Sequence, residues 1–337
     1  MRSGLIQKAL LTFALAFGGA SMAVAQTNPL EAQFDRMLGT EVRAPQSFNA
    51  VYDSSLERRI AMVADGDRGR IGVAAIDLST GQQIGVLSDQ RFPMASTSKI
   101  AVAATFLEGV EQGKWSLSSE FPLLLPRRSA KFSTDVAPVY EGQHMQAIDL
   151  IEIMITRSSN PATDALLRVV GGPKAVNDWM RRNGIKEFTL SRDIATLVRD
   201  DGEIDPAAKI DTRDSATPEA MVQLLVGLHQ GKFLSDQSRR VILGAMSRTI
   251  TGKRRIKGQM PSDAEVWHKT GSLNNTSSDI GYIKTADGRT IAVAIYVTGQ
   301  GSRPNREARI ASIARAIHDG YIAQPKQIWT SAEYNGG

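Results

Sequence analysis

The stretch Ser96-Thr97-Ser98-Lys99 holds the two side chains of this chain best placed to do chemistry together. A free serine hydroxyl is a poor nucleophile, and a base beside it is what lets it attack a carbonyl carbon. Serine and lysine three residues apart lie one helical turn from each other on one face, so the amine can serve the hydroxyl. Ser-Lys pairing is a known form of the activated serine. Average composition would give one Ser-x-x-Lys in a chain of 337 residues by chance, so the tetrapeptide needs companions. Two follow in order, Ser158-Ser159-Asn160 and Lys269-Thr270-Gly271. Ser-x-Asn is uninformative alone, because Ser47-Phe48-Asn49 and Ser272-Leu273-Asn274 also fit it. Lys-Thr-Gly is rarer, and it ends an apolar segment, where a strand would present it. The three together point to covalent acyl transfer through Ser96.

Such distant motifs need elements that bring them to one place. A short amphipathic helix from Leu56 precedes a buried strand over Ile71 to Asp77, a Ser79-Thr80-Gly81 turn and a partner strand from Gln83 to Leu87. Thr97 to Gln112 reads as a buried helix. Helical periodicity continues at Ala147 to Ile155, Pro161 to Val170, Pro173 to Asn183 and Ser235 to Ser247. Thr217-Pro218-Glu219 supplies a cap, a first-turn proline and a first-turn acid for a helix reaching about Gln230. Strands return at Ala264 to Thr270, Ile280 to Thr285 and Thr290 to Thr298, and Arg306 to Ile317 closes as a helix. Strands at both ends around a helical middle predict an α+β fold, with one antiparallel sheet built from both termini and flanked by helices. The middle, about 113–250, is expected to form an inserted all-helical lobe, with the motifs meeting in the groove between the two parts.

Composition narrows the chemistry further. Zero cysteines exclude disulfides, zinc-thiolate sites and a cysteine nucleophile. Four isolated histidines form no His-Glu-x-x-His cluster, so neither a metal nor another cofactor is expected. The net charge of +5 is scattered and gives no reason to expect nucleic acid. Residues 1–25 have a basic start (Arg2, Lys8), an apolar run and a small-x-small end at Ala23-Val24-Ala25. They read as a secretory signal peptide cut between Ala25 and Gln26, too short to be a membrane span. A monomeric periplasmic or secreted protein, free of the membrane after cleavage, is therefore expected. The division that follows is an arm over 26–55, a catalytic domain over 56–322 and a tail over 323–337.

The ordered motifs make the chain resemble class A β-lactamases, within the wider family of penicillin-recognising serine hydrolases. Arg91-Phe92-Pro93-Met94-Ala95, Leu166 to Pro173, Arg213-Asp214-Ser215-Ala216-Thr217-Pro218 and Thr251 to Ile256 support the likeness, which runs from Leu56 to Ile322. The resemblance implies a hydrolase that opens the β-lactam ring through a serine acyl-enzyme. In it Ser96 is the nucleophile and Lys99 the candidate base, while Ser158, helped by Lys269, relays a proton to the leaving nitrogen. Asn160 would bind the substrate's amide side chain, and Thr270 and Ser272 its carboxylate. The backbone N–H groups of Ser96 and Ser272 would form the oxyanion hole. Gly271 would let the substrate lie close to the strand, and Arg255 matches an arginine used for the carboxylate. An aromatic commonly lines such sites, with Phe132 and Tyr140 as candidates.

Two departures stand out. Ser159 occupies a position where the family has Asp, and the loop before Arg213-Asp214 lacks the usual Glu-Pro. Taking Arg199 as the loop's first arginine places Asp201 at the deacylation base and Asp205 at the water-holding position; sliding the register offers Glu203, and a loop with no dedicated base is the third possibility. Asp is one methylene shorter than Glu, and a misplacement near 1 Å can cost about a hundredfold in rate. The same departures keep open a penicillin-binding peptidase that acts on cell-wall D-Ala-D-Ala peptide and releases β-lactams slowly, or a non-hydrolysing sensor.

Overall fold

Residues 54–66 and 68–324 are described by the computed structural model. The expected signal peptide, nearly all of the arm and tail residues 325–337 lie outside the described residues. In chain order the elements are α1 (Ser55–Val63), β1 (Ile71–Asp77), β2 (Gln83–Val86) and β3 (Phe92–Pro93). A 3₁₀ turn over Ala95–Ser98 leads into α2 (Lys99–Glu111), followed by β4 (Glu120–Pro126), β5 (Val139–Gln146) and α3 (Ala147–Thr156). Then come α4 (Asn160–Val170), α5 (Gly172–Arg182), β6 (Phe188–Thr189), α6 (Ile194–Arg199), β7 (Ser215–Ala216), α7 (Pro218–Gln230) and α8 (Asp236–Ser247). A second 3₁₀ turn over Ile256–Gln259 precedes β8 (Glu265–Leu273), β9 (Thr276–Lys284), β10 (Thr290–Thr298) and α9 (Arg303–Ile322).

The main sheet has the order β2-β1-β10-β9-β8, and every pairing in it is antiparallel. The two ends of the chain therefore build it together, as the alternation of apolar runs predicts. β10 is central and buried on both faces, which explains its unbroken apolar sequence. Its two faces differ in size. Ile291, Val293, Ile295 and Val297 pack with α1 and α9, while Ala292, Ala294 and Tyr296 face the larger helical core. Small residues on that face leave room for α7 to pack against the strand. β8 is an edge strand, so one side of Lys269-Thr270-Gly271 is left unpaired by the sheet.

The inserted lobe is mostly, but not wholly, helical. β4 and β5 form a two-stranded ladder within it, and β6 and β7 join β3 in a second small sheet. Pro122 and Pro126 in β4 break the strand pattern in the sequence, and both are compatible with this exposed two-stranded edge. Gly171 ends α4 with φ +101° and opens α5, a conformation only glycine takes freely.

Candidate active site

Ser96 lies on the 3₁₀ turn, not on the α-helix itself, and Lys99 is the first residue of α2. With three residues per turn, positions i and i+3 eclipse, so the 3₁₀ geometry aligns Ser96 over Lys99 more directly than an α-helix would. Ala95, just before the nucleophile, has φ +50°. Strain of this kind costs about 1–3 kcal/mol and persists only where the surroundings fix it. Here Thr97 Oγ1 donates to Met94 O at 2.8 Å and meets Tyr296 Oη on β10 at 3.0 Å. Ser98 Oγ donates to Ala95 O at 2.9 Å, and Met94 N donates to Asp214 O at 3.0 Å. The turn is thus tied to the central strand and to the distant Arg213-Asp214 pair. Among the described residues Ser96 Oγ has no hydrogen-bond partner.

Ser158 is the meeting point of two amines. Lys99 Nζ donates to Ser158 O at 2.8 Å, Ser158 Oγ at 3.2 Å and Asn160 Oδ1 at 2.7 Å. Lys269 Nζ reaches the same Ser158 Oγ at 2.9 Å and Thr270 O at 2.8 Å. Ser158 sits in the three-residue link between α3 and α4 with φ +59°. Ser159, the departure from the family's Asp, caps α4: its Oγ accepts from Ala162 N at 3.3 Å. Both lysines are fully buried. Burial lowers Lys99 to about 7, opposed by the nearby Asp164 carboxylate. Burial also pushes Lys269 well down, and the Lys99 charge adds to this while Asp279 opposes it. An amine at about 7 is available as a base near neutral pH.

The edge of β8 completes the cluster. A Cβ on Gly271 would lie 2.4 Å from Ser278 Oγ and 2.7 Å from Met94 O. Glycine is therefore needed for the close approach of β8 to the nucleophile turn, a reason inside the protein that differs from room for substrate. That approach sets β8, with the exposed Ser272, against the turn that bears Ser96. Thr270 Oγ1 pairs with Thr251 Oγ1 at 2.8 Å. Arg255 does not stand where the sequence reading put it, free for a carboxylate. It is 1% exposed, and its Nη1 donates to Gly271 O and Ser278 O at 2.7 and 2.8 Å. Its Nη2 donates to Ser272 Oγ at 2.6 Å and to Glu307 Oε1 at 3.1 Å. Arg255 orients Ser272 from behind the strand.

The loop register also needs correction. Arg192, not Arg199, closes the loop: Arg192 Nε donates to Asp214 Oδ2 at 2.7 Å, while Asp214 Oδ1 accepts from Ser191 N and Arg192 N. Arg199 instead pairs with Asp200 and donates to Thr134 on the β4–β5 connection. A loop taken to start at Arg199 is therefore too short. Asp201 and Glu203 are not brought to the lysines. Asp201 Oδ2 accepts from Asn274 N at 2.8 Å, Asp205 Oδ1 from Asn275 Nδ2 at 2.8 Å, and Glu203 pairs with Arg213 at 2.8 Å. These carboxylates fasten the loop to the β8–β9 turn and to itself. Phe132 N donates to Asp200 Oδ1 at 3.0 Å, which docks the β4–β5 connection on the same loop. Tyr140 lies on β5 under the Arg127 guanidinium. Because the buried Asp214 carboxylate takes the Arg192 guanidinium and the Ser191 and Arg192 amides, Asp214→Asn should cost about 3 kcal/mol of stability. The check is chemical denaturation alongside proteolysis, which should cut first between 193 and 213.

Sequence reasoning missed Asp164 and Arg192. Asp164 follows Asn160 by four residues, hence on the same face of α4, a signal the spacing carried. Arg192-Asp193 precedes a short apolar helix in the way Arg199-Asp200 precedes none, which would have favoured the longer span.

A family model described as the β-lactamase enzyme family matches residues 55–321. The chain is 31% identical over 260 residues to β-lactamase SME-1 of Serratia marcescens, covering 76% of this chain and 85% of that protein. It is 29% identical to β-lactamase CTX-M-4 of Salmonella typhimurium, over 80% of this chain and 90% of that one. Among solved structures, a variant of the last common ancestor of Gram-negative class A β-lactamases shares 33% identity with a TM-score of 0.67, over 80% and 99% of the two chains. A β-lactamase from Chitinophaga pinensis shares 27% identity with a TM-score of 0.69, over 80% and 100%.

Proposed function

The chain belongs to the β-lactamase enzyme family, and from that premise we propose that it is a class A serine β-lactamase whose nucleophile is Ser96. The observation that carries the assignment of residues is the convergence of Lys99 and Lys269 on Ser158 Oγ, beside the turn that bears Ser96. Neutral Lys99 takes the Ser96 proton as Oγ bonds to the β-lactam carbonyl carbon. The backbone N–H groups of Ser96 and Ser272 hold the developing oxyanion. The ring C–N bond then breaks, and the nitrogen takes a proton through Ser158, which Lys269 keeps oriented. Asn160 serves the substrate's amide side chain, and Thr270 and Ser272 its carboxylate. Water cleaves the resulting ester.

The metal-free chemistry follows from the side chains themselves, since an amine, a hydroxyl and two amide donors supply every proton and charge the acylation step requires. Export is part of the same reading, supported by the signal-like residues 1–25. Among the described residues no helix is long and apolar enough to cross a membrane. The purified protein should hydrolyse the chromogenic cephalosporin nitrocefin. A folded protein that leaves nitrocefin intact but cleaves a D-Ala-D-Ala peptide would contradict the assignment.

A further inference from the structure

Two lysines and one arginine are buried around a single strand edge, a costly accumulation of positive charge. Each has an acid beside it. Arg255 pairs with Glu307, and Asp279, clasped by His268 Nδ1 at 2.8 Å, faces Lys269. The acid facing Lys99 is Asp164, which none of the steps above uses. It is 4% exposed and lies on α4 one turn beyond Asn160, whose Oδ1 accepts from Lys99 Nζ. Asn160 and Asp164 together line a cavity of about 210 Å³ under the loop. The two oxygens of Asp164 accept from Ile194 N at 2.7 Å and Ala195 N at 2.9 Å. One side chain thus holds the start of α6 through two hydrogen bonds and lies near enough to Lys99 for their charges to interact.

We propose that Asp164 is a positioning residue of this active site, its carboxylate the negative partner of the Lys99 amine and the anchor of the start of α6 at Ile194 and Ala195. The proposal rests on the reading of Lys99 as the catalytic base. Loop anchoring alone accounts for two acceptors, since two amide donors need two oxygens. It does not account for a buried carboxylate facing an amine, and an unpaired buried charge would be disfavoured there. The groups facing Lys99 are Asp164 from α4, Lys269 from β8 and the Ser158 hydroxyl; those facing Asp164 are Lys99 and, repelling it, Asp193 at the cap of α6. Burial raises Asp164 to about 7, and Lys99 opposes that shift. Each group holds the other in its charged form, so the charge on Asp164 decides how readily Lys99 gives up its proton. With the loop carboxylates Asp201 and Glu203 fastened elsewhere, Asp164 is the carboxylate that tunes the Lys99 amine.

The test is the titration of Lys99, read by NMR on protein carrying ¹³C-labelled lysine, in the parent, Asp164→Asn and Asp164→Glu. Asp164→Asn should lower the Lys99 midpoint by about one pH unit. The acid limb of kcat/KM for nitrocefin should move to lower pH with it, and Asp164→Glu should restore the parent midpoint. An unchanged Lys99 midpoint in Asp164→Asn would overturn the proposal, whatever happens to stability. Should Asp164→Asn fail to fold, the parent labelled with ¹³C at aspartate as well decides: Asp164 Cγ and Lys99 Cε should share inflections as a coupled pair, and an Asp164 that titrates alone overturns it. Failure of nitrocefin turnover in the parent would count against the proposed function, and the NMR midpoints remain readable without it.

Discussion

Ser96→Ala is expected to lower kcat/KM for any β-lactam by about a million-fold and to abolish covalent labelling by penicillin. The size of the effect follows from what surrounds the turn. Two other hydroxyls lie within two residues, yet neither can substitute. Thr97 Oγ1 is committed to Met94 O and Tyr296 Oη, and Ser98 Oγ to Ala95 O, and both are buried. Ser96 alone on this turn keeps its hydroxyl uncommitted and partly exposed. For the same reason the substitution should leave stability within about 0.5 kcal/mol of the parent. Steady-state kinetics and a melting curve on one preparation check both halves. Residual turnover within a few-fold of the parent would assign the nucleophile elsewhere.

Lys99→Met is expected to cost about 10²- to 10⁴-fold in acylation rate and to change how both activity and stability depend on pH. The parent amine must be neutral to accept the serine proton, and burial sets it at about 7. Activity should therefore fall below pH 7 with an acid limb that the Met variant lacks. Stability carries a second signature. In the folded protein Lys99 releases its proton at about 7, against an ordinary 10.5 in the unfolded chain. Between those values the unfolded state binds more protons, so stability rises with pH across that window. Below pH 7 both states are protonated and the full penalty of burying the charge is present. Replacing Lys99 by Met should flatten this rise, as urea denaturation at pH 6, 8 and 10 would show. A parent whose stability does not rise between pH 7 and 10 would refute the neutral-amine assignment.

Much of the scaffold was legible because apolar periodicity is a strong signal where burial is complete. β10 and β1 read as strands for that reason, and α7 was announced by Thr217-Pro218-Glu219, whose Thr217 Oγ1 does cap Ala220 N. The start of β9 was not legible. Thr276, Ser277 and Ser278 look like turn residues, but they are buried and paired with Leu273, Ser272 and Gly271 of β8. The actual turn is only Asn274-Asn275, with Asn275 at φ +49°. Motif order singled out Ser96, Lys99, Ser158, Asn160 and Lys269, and the structure gathers the last four into one hydrogen-bonded cluster. Arg255 and the loop carboxylates were misplaced, since their positions depend on partners far along the chain. No local pattern reveals that Glu307 and Ser278 occupy Arg255, or that Asp214 selects Arg192 over Arg199.

The most direct test of the central claim is the intact mass of the purified protein followed over time after mixing with a penicillin. The expected result is a transient gain equal to one whole penicillin, located by peptide mapping on Ser96, which decays as the hydrolysed drug accumulates. Protein that consumes penicillin with no adduct at any time, or that carries the adduct on another residue, would contradict it.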